Sequence, residues 1–114
     1  MRGFNQEWLV RRAVTAGTLA CGLRGPDGKS ICHSVEEICS VDRMERILGQ
    51  FDGLRAAICT GSLAPRWSTW AFERGLVRLV ERPDQWLLGI VVRYDSEAAL
   101  KLDGTCREFL MLGL

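Results

Sequence analysis

The strongest pattern of apolar and polar positions in this sequence covers residues 40–60. Apolar residues recur there every three or four positions with charged residues between them, which is the spacing of an amphipathic helix. The residues of the apolar stripe are Met44, Ile47, Leu48, Phe51, Leu54 and Ile58. Asp42 and Glu45 match a capping box at the start, Ser40 is an alternative start, and Gly61 provides a stop. The pattern predicts one long helix with a single buried face.

Shorter patterns on either side predict strands and two further helices. Residues 25–28 (Gly-Pro-Asp-Gly) strongly favour a turn. They separate two short predicted strands, which indicates a hairpin. In the last predicted strand both alternating sets of positions are largely apolar, so we expect layers in front of the sheet and behind it. The predicted ranges are 5–16 (helix), 18–24 and 29–33 (hairpin), 40–60 (helix), 66–74, 76–82 and 86–93 (strands), and a last helix from 95 or 96.

Composition narrows the class of protein. The chain has 114 residues, 47% hydrophobic and 25% charged, so we expect one globular domain over residues 1–114. With 15 Lys and Arg against 14 Asp and Glu the net charge is +1, which gives no electrostatic reason to expect a nucleic-acid partner. The longest strongly apolar run, residues 86–92, is far shorter than the ~20 residues of a transmembrane helix, so we expect no membrane partner.

The segment before Cys21 imitates an export signal. Arg11 and Arg12 precede an uncharged run that ends at this cysteine, as in a lipoprotein leader. The apolar run is short and diluted, however, and Thr18 occupies the position where such a leader has a branched aliphatic residue. Glu7 also lies where a leader is positively charged. We therefore expect a cytoplasmic protein.

Residues that could perform catalysis or bind a metal do not form a complete set. The 5 cysteines contain no C-x-x-C pair, and the nearest cluster, Cys32, His33 and Cys39, lacks a fourth ligand. Cys32 and His33 are adjacent in a predicted strand and would point to opposite faces, which is poor geometry for a nucleophile and its base. We expect no enzyme activity, no metal and no cofactor, and we interpret the cysteines as free buried thiols.

Gly-Lys-Ser at residues 28–30 resembles the end of a phosphate-binding loop. That motif needs a glycine at position 23, and this residue is Leu23. The motif must also lead directly into a helix, whereas residues 31–33 continue as a predicted strand. The sequence predicts a hairpin here and no nucleotide site.

Two features predict a contact surface for another protein chain. Gly49 and Gly53 lie along one edge of the long helix, where another backbone could come close. The alternative interpretation is that both are surface glycines that the helix tolerates and that contact nothing. Strand 66–74 carries several aromatic residues and should be an edge strand, which needs cover to avoid aggregation. Its Trp70 and Phe72 suit the core, and its Trp67 suits an interface. The predicted interface residues are Met44, Leu48, Gly49, Gly53, Trp67, Trp70 and Phe72.

The order of elements and several segments resemble the roadblock/dynein light chain family. The segments are Gly28 in the hairpin, helix 44–58, Gly-Leu-Val-Arg-Leu-Val at 75–80 and Trp-Leu-Leu-Gly-Ile-Val-Val at 86–92. Profilin-like and longin-like domains share parts of this order. The resemblance implies an α/β (α+β) fold in the order α-β-β-α-β-β-β-α. It further implies a three-layer α/β/α sandwich with a five-stranded antiparallel sheet, the long helix on one face and the terminal helices on the other.

The resemblance also implies a non-catalytic dimeric regulator or scaffold. Family members pair their long helices, join their third strands edge to edge, and serve small Ras-like GTPases or act as adaptors. The implied partners are a second copy or a related subunit, and a small Ras-like GTPase. The alternative function is a small-ligand sensor or an adaptor subunit of a signalling complex. Four tryptophans suit an aromatic pocket for a small apolar ligand, which a fully packed space between sheet and helix would exclude.

Overall fold

The computed structural model describes residues 6–14, 17–36, 39–58, 66–72, 75–82, 84–93 and 96–111. These residues form a mixed α/β fold with an antiparallel sheet and helices, which confirms the predicted class. The helices are α1 (Gln6–Trp8), α2 (Val41–Ile58) and α3 (Ser96–Met111), and a π-helical turn, Leu9–Ala13, directly follows α1. The strands are β1 (Thr18–Arg24), β2 (Ser30–Ser34), β3 (Arg66–Phe72), β4 (Gly75–Glu81) and β5 (Leu87–Arg93).

The first helix differs from the regular helix predicted for residues 5–16. Its second turn has π-helical geometry and ends at Ala13, and the backbone of the next residue, Val14, is extended (φ −86°, ψ 108°). Gly17 then has a φ of +91°, a conformation that favours glycine, and the chain enters β1 at the next residue. The helix therefore ends before position 16, because the chain is already extended at Val14. The predicted cap, Asn5, lies outside the described residues.

The strands form one sheet in the order β2-β1-β5-β4-β3, and every neighbouring pair is antiparallel. Strand β5 lies between β1 and β4 and so joins the amino-terminal hairpin to the later strands. Strands β2 and β3 form the two edges, as the sequence predicts for β3. In the centre of the sheet, Gly22 of β1 is paired directly with Gly89 of β5.

Alternate residues of the central strands belong to two separate core clusters. One cluster packs against α3 and the π-helical turn, and the other packs against α2. The first contains Leu9, Cys21, Leu23, Val80, Leu88, Ile90, Val92, Leu102, Cys106 and Phe109. The second contains Leu19, Ala20, Cys39, Met44, Leu48, Val77, Leu79, Leu87 and Val91. Because neighbouring residues of a strand face opposite ways, α2 and α3 contact opposite faces of the sheet.

The tight turns have the hydrogen bonds that their sequences predict. In the hairpin, the Gly25 amide donates to the Lys29 carbonyl at 2.9 Å, and the Gly28 amide donates to the Gly25 carbonyl at 3.0 Å. Gly28 has a φ of +85°, and the chain continues into β2, so this segment has the predicted hairpin geometry. Between β4 and β5, the Gln85 amide donates to the Arg82 carbonyl at 2.9 Å.

A buried arginine connects the end of β4 to α3. Arg82 is only 7% exposed, and its Nη1 donates to the Phe109 carbonyl oxygen at 2.9 Å. Its guanidinium carbon lies 5.5 Å from the centre of the Phe109 ring, and its Nε lies 3.2 Å from Asp84 Oδ1. Phe109 is in the last turn of α3, where carbonyl oxygens have no amide donor within the helix. Arg82 supplies a donor and places a positive charge at the negative end of the helix dipole.

Candidate functional site

Helix α2 is seated on the sheet by two of the predicted interface residues. Met44 and Leu48 are fully buried, and they lie over the paired glycines of β1 and β5. A Cβ atom at Gly89 would be 2.7 Å from Met44 Cε and 2.9 Å from Leu48 Cδ2. A Cβ at Gly22 would be 2.9 Å from Leu48 Cδ1. Met44 and Leu48 therefore belong to the core of the chain itself.

Of the two glycines of α2 that were predicted to lie at an interface, the structure describes the surroundings of Gly49. A Cβ atom at Gly49 would come within 4 Å of one neighbouring atom, Arg24 Nη1 at 3.9 Å, so this position has room for a side chain. Gly53 lies one helical turn further along α2, and its surroundings lie outside the described residues. The close backbone approach predicted at Gly49 and Gly53 stays a prediction; within the chain, side chains of α2 pack closely on Gly22 and Gly89 of the sheet.

Strand β3 forms one of the two edges of the sheet, beside β4. Helix α2 packs on one face of the same sheet. Its backbone pairs Trp67 with Val80 and Trp70 with Val77. Thr69 is exposed, and its Oγ1 accepts a hydrogen bond from Arg78 Nε at 3.1 Å. The predicted roles of the Trp67, Trp70 and Phe72 side chains lie outside the described part of the chain.

A cavity of about 320 Å³ lies between α2 and the sheet. Its described lining combines buried apolar residues of the loop and strands with exposed polar residues of α2. The lining residues are Cys39, Arg43, Arg46, Ile47, Gln50, Val77 and Val91. The space between helix and sheet is thus not completely filled by the described residues, which leaves the small-ligand alternative open.

The described cysteines have the properties of structural thiols. The pKa values of Cys21, Cys32 and Cys106 are raised to about 12, chiefly by burial. The Glu45 carboxylate contributes to the rise at Cys32, and at Cys106 the Arg78 guanidinium opposes the rise while the Asp103 carboxylate adds to it. Burial also raises the pKa of Cys39, while the Arg43 guanidinium lowers it. A catalytic cysteine needs a depressed pKa, so these thiols are poor nucleophiles at neutral pH.

No group of three or more His, Cys, Asp or Glu side chains among the described residues could hold a metal ion. None of the described helices is long and apolar enough to cross a membrane.

Sequence reasoning missed the glycine pair in the sheet and the buried arginine. A glycine in the middle of a strand signals close approach by another element, so Gly22 and Gly89 carried a readable signal. Their pairing could not be predicted, because they belong to strands far apart in the sequence. Arg82 precedes a proline in a predicted turn and carried no sign of burial.

Comparison with known proteins identifies the fold. The structure is similar to the crystal structure of a Roadblock/LC7 domain from Streptomyces avermitilis, with a TM-score of 0.51 and 18% sequence identity. The match covers 93% of this chain and 94% of that chain. No family model and no curated protein matches the sequence. At this identity the likeness establishes the fold, and it confirms the resemblance drawn from the sequence.

Proposed function

We propose that this chain, which has the Roadblock/LC7 fold, is a non-catalytic regulatory or scaffold domain that works as a dimer. The observation that carries the proposal is the position of β3 at the edge of the sheet, bonded to β4 along one side. An edge strand with an open row of backbone donors and acceptors needs cover, and an identical strand of a second copy provides it. The partner is a second copy of this chain or a related subunit.

The proposed interface combines β3 with the exposed side of α2. Gly49 and Gly53 lie on α2, and Trp67, Trp70 and Phe72 lie on β3. Tryptophan and phenylalanine are enriched at the centres of protein interfaces, because a large ring buries much apolar surface at small cost in side-chain entropy. Met44 and Leu48 act from beneath by fixing α2 on the sheet.

Light scattering at micromolar concentration tests the dimer. We expect a mass about twice the 12.8 kDa of the chain, and a mass near 12.8 kDa contradicts the proposal. Gly53→Leu should lower the dimer fraction, because a leucine would separate the two helices. Gly104→Leu is the matched control, since Gly104 lies on α3 with open space around it and should leave the mass unchanged.

The finer proposal is that the dimer regulates a small Ras-like GTPase. A regulator shifts the equilibrium between nucleotide states only through different affinities for them. We therefore expect a Ras-like GTPase from the source cell to bind this protein with different affinities when loaded with GDP and with a GTP analogue. Equal affinities would contradict regulation of the GTPase, and the scaffold role would be the one that remains. GTP turnover by the isolated protein would contradict a non-catalytic domain.

We also propose that the protein works in the cytoplasm. Its described cysteines Cys21, Cys32, Cys39 and Cys106 are free thiols, which a reducing compartment maintains. Fractionation of the source cell should recover the protein with cytoplasmic markers, and recovery with exported proteins would contradict this placement.

A further inference from the structure

Strand β2 forms the edge of the sheet opposite to β3, and its backbone groups alternate in direction. The Gly25 amide donates to the Lys29 carbonyl, and the Val35 amide donates to the Leu19 carbonyl. Both contacts follow the register in which β2 pairs with β1. In an antiparallel pair, hydrogen-bonded and non-bonded residue pairs alternate. Every second residue of β2 therefore turns its amide and carbonyl towards β1, and the residues between them turn theirs outwards.

The residues of β2 whose backbone groups point away from β1 are Ser30, Cys32 and Ser34. Ile31 and His33 alternate with them in the strand and bond to β1. The outward amides and carbonyls form a row along the edge, with about 7 Å between successive members. Among the described strands, β1 is the one that pairs with β2, so none lies on this outer side. The row has the hydrogen-bonding pattern that one more strand requires.

This row of outward backbone groups lies in a recess between two helices. Helices α2 and α1 both contact β2, from opposite faces of the sheet, and every residue of β2 is half-buried. Val35, directly after β2, and Val41, at the start of α2, are exposed apolar residues beside the strand. Strand β2 contains no charged residue, and charged groups of both signs lie beside it, Glu45 on α2 and Lys29 directly before the strand. The recess therefore favours an apolar, uncharged occupant.

The flanking helices also determine the size of the occupant. A second copy of the whole domain would bring its own α1 and α2 against those of the first, because they flank its β2 in the same way. A single extended segment has no such helices, and it can approach to the ~4.8 Å that separates paired strands. Peptides that add to a sheet edge obtain affinity from main-chain hydrogen bonds and specificity from alternate side chains.

We propose that the β2 edge binds an extended, largely uncharged peptide segment of another protein by strand addition. The backbone of the segment pairs with Ser30, Cys32 and Ser34. Its alternate side chains approach Val41 on one face of the sheet and Val35 on the other. The proposal does not rest on dimer formation, because β2 and β3 are at opposite edges of the sheet and both can be occupied at once.

Hydrogen exchange of the full chain, followed by NMR, tests the proposal amide by amide. The probe is the capped peptide Lys-Val-Thr-Val-Thr-Val-Lys, which has one apolar face as a strand and charged ends for solubility. At millimolar peptide, exchange of the Ser30, Cys32 and Ser34 amides should slow at least tenfold. The Ile31 and His33 amides, already bonded to β1, should change much less. Unchanged exchange of the outward amides would overturn the proposal. Their protection before peptide is added would also overturn it, because the edge would then already be covered.

Proline variants provide the second arm of the test. Cys32→Pro removes an outward amide and no bond to β1, and proline is tolerated in an edge strand where the amide faces away from the sheet. It should raise the Kd for the peptide about three- to tenfold, the scale of one lost hydrogen bond. Cys32→Ala is the matched control, since it also lacks the thiol but keeps the amide, and its Kd should be unchanged. Ser30→Pro and Ser30→Ala form a second pair that should show the same difference. Circular dichroism would verify the fold of each variant, and equal Kd values within the folded pairs would contradict strand addition at β2.

Discussion

Gly22 and Gly89 show how a missing side chain determines the position of a helix. The two residues are direct cross-strand partners. Because neither has a side chain, they leave a depression in the middle of the sheet. Met44 and Leu48 fill this depression, so α2 approaches the sheet more closely than it could over larger residues. The side chains of Met44 and Leu48 therefore occupy the space that the glycines of β1 and β5 leave open.

Gly89→Ala should destabilise the protein by about 1–3 kcal/mol, the usual cost of overpacking a core. The added Cβ would be 2.7 Å from Met44 Cε and 2.9 Å from Leu79 Cδ2, so buried side chains must move. Urea unfolding would measure the change. Gly104→Ala is the control: it has open space on helix α3 and should stabilise by up to ~1 kcal/mol through helix propensity. Equal stability of Gly89→Ala and the original chain would contradict the close approach.

The buried thiols connect stability to alkaline pH. Burial raises the pKa of Cys106 from its ordinary value of 9.0 to about 12 in the folded chain. Between these pH values the unfolded chain loses a proton that the folded chain retains. The contribution of Cys106 to stability is therefore complete below pH 9 and declines as the pH rises.

Cys106→Ala should make the unfolding free energy less dependent on pH above 9. Each buried thiol contributes a decline of ~1.4 kcal/mol per pH unit in this range, and the variant lacks one of them. Urea titrations at a series of pH values would give the slopes. Cys21, whose pKa is also raised to about 12 by burial, continues to contribute in the variant. An identical slope in both proteins would contradict an ionisation suppressed by burial.

At the scale of elements, α3 is held at its last turn by a polar contact within an otherwise apolar interface. Arg82 contacts the carbonyl and the ring of Phe109 and pairs with Asp84. Removing one member of a buried charged set leaves the others without compensation, which costs more than the set contributed. The attachment of α3 to β4 therefore depends on this arginine as well as on apolar burial.

Arg82→Met should destabilise the protein by about 2–4 kcal/mol, because it removes a charged donor from the Phe109 carbonyl and the ion-pair partner of Asp84. Methionine keeps most of the side-chain length, so lost packing contributes little. The control Arg107→Met is at an exposed position of α3, the helix that contains Phe109, and it should change stability by less than ~0.5 kcal/mol. Thermal unfolding followed by circular dichroism would compare them. Equal melting temperatures would show that Arg82 has no structural role.

Local patterns predicted the elements well where each pattern is repeated several times. The apolar stripe predicted a helix over 40–60, and α2 is observed at Val41–Ile58. The π-helical turn Leu9–Ala13 could not be predicted, because its residues also fit a regular helix. The cavity could not be predicted either, since it depends on how far α2 extends across the sheet, and that distance is set by contacts between distant residues.

At the scale of the whole molecule, the proposed dimer would contribute to stability as well as to function. Association stabilises the folded state by mass action, since the second copy binds the native form and not the unfolded chain. The melting temperature should therefore rise with protein concentration. Calorimetry over a hundredfold range of concentration would measure the rise, and a constant melting temperature would indicate an independent folded monomer.

The central place of β5 has a consequence for how the chain folds. Its neighbours are β1, from early in the sequence, and β4, which directly precedes it. We therefore expect the sheet to form as two halves that join when β5 pairs with β1. Closing the long loop between β1 and β5 costs entropy before any contact is gained, which makes this a slow step. Until then the hairpin exposes apolar residues such as Leu23 to solvent. In pulse-labelling hydrogen exchange during refolding, the amides that bond β1 to β5 should become protected together, after those of α2.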